Sequence, residues 1–232
     1  MMLPTDSGTR RHSRIWLETT LEVPEIGNCP DARAVQAVLD WVNAGRPLVG
    51  RSRMAGDALT GMPLGLALPP VAGTRPRIAC CVPMTAVQRV APPLSLGEVL
   101  PVLPMSMQPV ARELVHYATG MGMPLGVYGS AFWQHTAGDG YLHADSDLDL
   151  LAAPCDGIQA CQWLAQLVHC ETVAPFRLDG EIRLPDGATV NWRELAGEAS
   201  RLLVRTDAGP VLRSRAEVWA TWDTAAQAEL RP

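Results

Sequence analysis

The sequence contains no lysine; all nineteen basic side chains in its 232 residues are arginine. Schiff-base chemistry on lysine is thereby excluded, and any phosphate clamp must be built from guanidinium forks, which grip phosphate oxygens in pairs. An excess of positive charge is missing too. The formal net charge is −5, whereas a general nucleic-acid surface needs a basic stripe, so no nucleic-acid partner is expected. Long apolar runs are absent, as is a hydrophobic segment behind a basic N-terminus, so neither a membrane span nor an export signal is expected. The six cysteines (Cys29, Cys80, Cys81, Cys155, Cys161, Cys170) form no C-x-x-C pair. The vicinal Cys80 and Cys81 are an awkward start for a disulfide framework. The expectation is a cytoplasmic protein whose thiols stay reduced and serve mostly as small core residues.

What is present is enough apolar content, 47%, to build sizeable cores in one large or two modest domains. The first ten residues are polar and read as loose. Val35, Val38, Leu39 and Val42 fall at i, i+3, i+4 and i+7, which predicts a helix over 31–43 stopped by Gly45 and Pro47. Short apolar runs at 47–49, 64–68 and 77–82, punctuated by Gly and Pro, read as a small sheet. Pro92 and Pro93 mark 89–95 as a linker and place a domain boundary near 93. Ser95 and Glu98 then have capping-box spacing.

Beyond that boundary, helical patterns at 108–119 and 157–170 alternate with apolar strands at 125–128 and 146–152. The second helix is expected to bury Ile158, Cys161, Leu164, Leu167 and Val168. Runs at 176–184 and 188–192 flank Pro185-Asp186-Gly187 as a hairpin. A strand at 202–206 and a helix after the Ser214/Glu217 capping pair complete an α+β reading: a small α/β domain (1–93), open to a role in substrate or carrier recognition, then a domain (94–232) with a mixed sheet flanked by helices. Arg201, Arg205, Arg213 and Arg215 read as a solvated face, or as a dock for an acidic partner.

The chemistry-bearing stretch is YGSAFWQHTAGDGYLHADSDLDLLAAP, residues 128–154. Residues two apart on a strand share a face about 7 Å apart. Asp147 and Asp149 therefore project together while Leu148 and Leu150 enter the core. Two converging carboxylates that repel one another call for a cation between them, and Mg²⁺ takes one or two carboxylates plus substrate phosphates. The strand before them feeds into Gly129 and Ser130. If a helix starts there, its N–H groups and the Ser130 hydroxyl can donate to a phosphate while Gly129 lets it approach. Alone, a D-x-D is often a solvated strand end and a Gly-Ser an ordinary turn; in this order they constrain each other. A third carboxylate would hold a second metal or take a proton. Glu181 is the first choice and Asp179, on the same face, its rival. Arg193 either forks onto a phosphate or makes a surface ion pair. His135 and His143 lack zinc-site spacing, and His143 and Asp145 read as part of the pocket rim.

Gly129-Ser130 followed by Ser146-Asp147-Leu148-Asp149 resembles the nucleotidyltransferase superfamily. GSAFWQHTAGDGYLHADSDLDLL with RLDGEIRLPDGATVNWREL is similar, more closely, to the phosphoribosyl-dephospho-CoA transferases, the holo-acyl-carrier-protein synthases of malonate decarboxylase. RHSRIWL, GRPLVGRSR and MPLGLALP resemble that family's first domain in style. The resemblance implies a nucleotidyltransferase-like second domain. It further implies transfer of phosphoribosyl-dephospho-CoA from 2′-(5″-triphosphoribosyl)-3′-dephospho-CoA to a serine of the decarboxylase's acyl carrier protein, with release of diphosphate. Asp147 and Asp149 would hold Mg²⁺ on the triphosphate, and Gly129 and Ser130 would seat its phosphates. Two competitors stay open: another Mg²⁺-dependent nucleotidyltransferase with a protein or small hydroxyl acceptor, and a non-catalytic nucleotide-binding protein.

Overall fold

Why two sheets form is visible in where the chain changes partners. The computed structural model describes residues 11–20, 26–70, 74–138, 140–143 and 145–229; the polar opening segment 1–10 lies outside them. The first sheet collects β1 (Arg14–Leu17), β2 (Leu48–Gly50), β3 (Gly61–Ala67), β4 (Arg77–Pro83) and β5 (Val87–Ala91) in the order β4-β3-β2-β1-β5, antiparallel throughout. Ile15 and Leu17 of β1 alternate inward, as a half-buried strand requires. The helix α1 (Ala32–Asn43) is capped by Asp31, whose carboxylate accepts from the Ala34 N–H at 2.8 Å. Its buried stripe is Ala34, Val38, Trp41 and Val42, so the large Trp41 displaces Val35 and Leu39 to partial burial.

The expected linker is largely strand. β5 runs to Ala91 and β6 (Leu94–Ser95) begins the second sheet, leaving Pro92 and Pro93 between them. Proline lacks a ladder donor and is tolerated at such strand ends. Ser95 caps α2 (Leu96–Val99) reciprocally with Glu98, as its spacing indicated.

The second sheet is mixed. After α3 (Gln108–Gly120) come β7 (Leu125–Val127), α4 (Gly129–Ala137), β8 (Leu148–Ala152), α5 (Gly157–Val173), β9 (Leu178–Arg183), β10 (Thr189–Asn191), α6 (Trp192–Ala196), β11 (Arg201–Thr206), β12 (Gly209–Ser214) and α7 (Arg215–Glu229). The strand order is β12-β11-β10-β9-β8-β7-β6, and β8 with β9 is its parallel pair, joined by α5. The protein is thus α+β. β12 escaped the sequence reading because Pro210 and Arg213 break its apolar pattern; pairing with β11 makes it a strand. α5 turns a different face inward from the one expected: Ala160, Trp163, Leu164, Leu167 and Cys170 are buried, while Ile158 and Val168 are exposed. A helix apolar on most sides leaves its orientation to its neighbours, here α3 and α7.

One contiguous core joins both sheets, from Ile15 and Leu48 to Trp163 and Trp192. All six cysteines are free, but Cys155 and Cys161 are exposed rather than core residues. No helix among the described residues is long and apolar enough to cross a membrane.

Gly180 fixes the parallel pair. It faces Leu150 of β8 at φ +150°, and a Cβ there would stand 2.2 Å from the Leu150 carbonyl oxygen. Gly180→Ala is expected to lower stability by about 3 kcal/mol, from steric and backbone strain together. Gly120→Ala, where nothing stands within 4 Å, should be neutral or slightly stabilising; urea midpoints of the two variants check the contrast.

Candidate active site

Parallel pairing of β8 and β9 places Asp149 directly opposite Asp179. Leu148 and Leu150 are buried on the other face, as the alternation requires. Asp147 stands just before β8, more exposed. Its Oδ2 lies 3.5 Å from Arg177 Nη1, and Nη2 of the same guanidinium lies 3.5 Å from Asp179 Oδ2. Asp149 has no such partner at contact distance among the described residues. Burial, then the neighbouring charges of Asp179 and Asp147, push its carboxyl up to about 7, against a weaker pull from Arg77. Two nearby acids and a buried third make a place that a cation would relieve.

Gly129 allows this approach. It has φ +61°, and a Cβ on it would lie 1.9 Å from Asp149 Oδ2. The strand–glycine–helix sequence therefore brings the N-terminus of α4 against the carboxylate pair. Ser130, in the first turn, is buried, and its Oγ accepts from Arg75 Nη1 at 2.6 Å.

Arg75 comes from the other sheet's side of the molecule, and so does half of the site. A cavity of about 550 Å³ opens between the sheets. Gly129, Asp149, Asp179, Glu181 and Asn191 line it on one side, Arg11, His12, Arg51, Arg75 and Arg77 on the other. The guanidiniums differ in availability. Arg51 is saturated by Asp57 and by the carbonyls of Leu64, Ser52 and Cys80. Arg75 also donates to the Tyr141 carbonyl at 2.7 Å, and its buried Nε has no partner among the described residues. Arg205, read from sequence as part of a solvated face or an acidic partner's dock, lines this cavity, and among the described residues its buried Nη1 lacks a hydrogen bond although Glu181 Oε1 is 3.5 Å away.

The two rival carboxylates have different surroundings. Glu181 is buried and receives Arg11 at 3.1 and 2.7 Å, His12 Nε2 at 3.0 Å and Thr189 Oγ1 at 2.6 Å. Burial alone would raise its carboxyl; the hydrogen bonds from His12 and Arg11 outweigh it and bring the group well below the usual carboxylate range. Asp179 faces Asp149, and its Oδ1 accepts from the Gly180 N–H at 2.8 Å and from Asn191 at 3.1 Å. Arg193 is engaged by Glu171, by the Leu178 carbonyl and by Asp179, stacks on Trp192, and is not among the residues lining the cavity. His143 and Asp145 do not line it either, against the expectation of a pocket rim.

Sequence reasoning did not place Arg11, His12, Arg75 and Arg77 in the site. Their signal was slight: Arg10-Arg11-His12 before the first strand and Arg75-Pro76-Arg77 before the fourth, in a chain short of cations. Among the described residues, no group of three or more His, Cys, Asp or Glu side chains forms a ready metal cage. Mg²⁺ does not require one, because it completes its shell with water and substrate phosphate.

Comparison with known proteins finds one family along the chain. A family model described as phosphoribosyl-dephospho-CoA transferase MdcG C-terminal domain matches residues 95–216, and one described as the MdcG N-terminal domain matches residues 10–93. The phosphoribosyl-dephospho-CoA transferase of Xanthomonas axonopodis pv. citri (strain 306) is 34% identical over 209 residues, 90% of this chain and 96% of that protein. That of Xanthomonas campestris pv. campestris (strain 8004) is 38% identical over 86% of this chain and 91% of its own length. A Bradyrhizobium diazoefficiens protein with the same description is 37% identical, covering 80% of this chain and 81% of the relative. No solved structure matches the chain.

The crowding at Asp149 has a stability signature. With a folded value of about 7 against about 3.9 unfolded, the folded state holds the proton longer. Stability attached to this group is full below pH about 4 and lost as pH rises through 7, a span on the order of 4 kcal/mol. Without metal, Asp149→Asn should be more stable than the parent at pH 8, with the gap closing toward pH 4. Denaturant titrations at the two pH values test this, and a pH-independent difference would speak against the crowding.

Proposed function

The chain belongs to the phosphoribosyl-dephospho-CoA transferase family and is a transferase; on that premise we propose that it moves phosphoribosyl-dephospho-CoA from 2′-(5″-triphosphoribosyl)-3′-dephospho-CoA to a serine of the acyl carrier protein of malonate decarboxylase, releasing diphosphate. The single observation that carries this reading is the meeting of Asp149 and Asp179 beside Gly129, in a cavity lined by arginines from the opposite side, with Asp147 just before β8 adding its charge to theirs. Carboxylates alone would repel a triphosphate, and arginines alone would not aim its α-phosphorus. The two sets together suit a polyphosphate carrying a divalent cation.

Asp147 and Asp149 would hold Mg²⁺, which fits an acid cluster whose central member is pushed up by burial and then by its neighbours. When bound, the ion supplies charge neutralisation and polarisation of the phosphoryl oxygens. Asp179 is the better-placed third carboxylate, since it faces Asp149, and Gly180 and Asn191 orient it. Glu181, the first choice from sequence, lies deeper and is already committed to Arg11, His12 and Thr189. Gly129 and Ser130 would seat phosphate oxygens at the start of α4, where backbone N–H groups are free. Arg75 would support Ser130 and reach toward the same oxygens. Arg193, engaged elsewhere, supports the site by holding Asp179 rather than by touching substrate. The cavity between the sheets would exclude water so that the carrier's serine attacks the α-phosphorus. Assembly with a cytoplasmic carrier protein follows from the same reading.

Asp147→Ala and Asp149→Ala are each expected to lower transfer by about 10³-fold or more while the fold survives, since removing mutually repelling charges relieves the metal-free protein. Diphosphate release together with the mass gain of the carrier protein measures this. Near-normal rates in both variants would remove the dyad from the chemistry. Replacing the triphosphoribosyl substrate by ATP separates this transferase from a general nucleotidyltransferase: diphosphate should appear with the first and not with the second.

A further inference from the structure

We propose that His12 is the general base of the reaction, held by Glu181 as a dyad and taking the proton of the acceptor hydroxyl at Nδ1; the inference rests on the transfer reaction proposed above. Neither residue lies on the metal-binding strand. The dyad joins the segment before β1 to β9, across the two sheets.

The hydrogen bonds around Glu181 fix the tautomer. Its two oxygens accept from both Arg11 nitrogens and from Thr189, as well as meeting His12 Nε2 at 3.0 Å. An ionised carboxylate is an acceptor only, so the shared hydrogen must sit on Nε2. Nδ1 of the neutral ring then carries the lone pair. Among the described residues Nδ1 has no hydrogen-bond partner, and His12 lines the cavity that contains Asp149 and Gly129. The ring lies flat on Tyr128, 4.0 Å between centroids, and Tyr128 immediately precedes Gly129.

The backbone at His12 is held in a costly conformation. Its φ is +65°, a region that a residue with a side chain enters only under constraint. The constraint comes from both halves of the protein. The His12 N–H donates to Gly50 at 2.9 Å, Gly50 donates to Ser13 at 2.9 Å, and Arg183 of β9 donates to the Arg11 carbonyl at 3.1 Å. Such strain is common at functional sites. The charged groups facing the ring are Glu181, Arg11 and Arg183, with Arg205 behind Glu181. Burial is the largest influence and keeps the ring neutral, assisted by the two arginines against the pull of Glu181. Asp179 is the less available acceptor for that proton, because Gly180, Asn191 and Arg193 occupy its Oδ1 and Arg177 faces its Oδ2.

In the step itself the serine O–H bond breaks and its proton passes to Nδ1, while the oxygen forms a bond to the α-phosphorus. The bond from that phosphorus to the bridging oxygen breaks, and diphosphate leaves with the electron pair. The imidazolium, paired with Glu181, returns its proton to solvent.

His12→Gln keeps a donor for Glu181 and tests the dyad directly. Its kcat should fall about 100-fold or more, with KM for the triphosphoribosyl substrate changed less than about threefold and the acid limb of the wild-type pH–rate profile lost. Imidazole should partly restore His12→Ala. A ¹⁵N spectrum of the wild-type ring at pH 7 should show a hydrogen on Nε2 and none on Nδ1, with or without activity. A His12→Gln enzyme of wild-type kcat, or a hydrogen on Nδ1, would overturn the assignment. A wild-type protein that transfers nothing to the carrier would instead sink the reaction assigned above, and the ring spectrum would still decide the dyad.

Discussion

Asp149 and Asp179 on two adjacent parallel strands, with Asp147 just before the first, share too little space, and much of the surrounding architecture serves to keep them there. Asp149 cannot move away from Asp179, because the register of β8 and β9 sets them opposite each other. It cannot swing toward α4 without meeting Gly129, whose missing side chain is the room it occupies. Burial first, and then the resulting repulsion, lie behind the elevated Asp149 carboxyl. A folded chain that retains such a strained group is one whose fold is bought elsewhere, here by a single apolar core running through both sheets.

The cations answer from a distance. Without lysine, the protein places arginines on the far wall of the cavity and splits their duties. Arg51 is internal scaffolding, Arg11 holds Glu181, and Arg75 bridges to Ser130 across the two sheets. A guanidinium suits these bridging tasks, since its fixed fork satisfies two or three acceptors at once. The half of the chain carrying the first sheet is therefore part of the site's wall. Residues from both sides line the cavity, so any loosening between the sheets would reshape it directly.

The family and the Gly129 turn leading into α4 were legible in the residue order, the turn because it depends on local geometry: a glycine's freedom and a helix start. The choice between Asp179 and Glu181 was not. Both lie on one face of β9, and only their neighbours across the sheet separate them, Asp149 for the first and Arg11, His12 and Thr189 for the second. Arg193 likewise looked equal to either of two roles until Glu171 and Asp179 were seen to engage it. The inward face of α5 escaped for a related reason. Its apolar residues surround the helix, and Trp163 rather than Ile158 faces the core because α3 and α7 lie on that side.

By itself the sequence determined the α+β class and the order of helices and strands around Asp147 and Asp149, since alternation, capping and turn residues act over a few positions. Tertiary structure alone decided that Arg11, His12, Arg75 and Arg205 share one cavity with Asp149. The reason is physical: those residues are brought together by two sheets closing on a common core, and burial, which sets each group's charge state and free hydrogen-bonding positions, is a property of that closure and of no short stretch of chain.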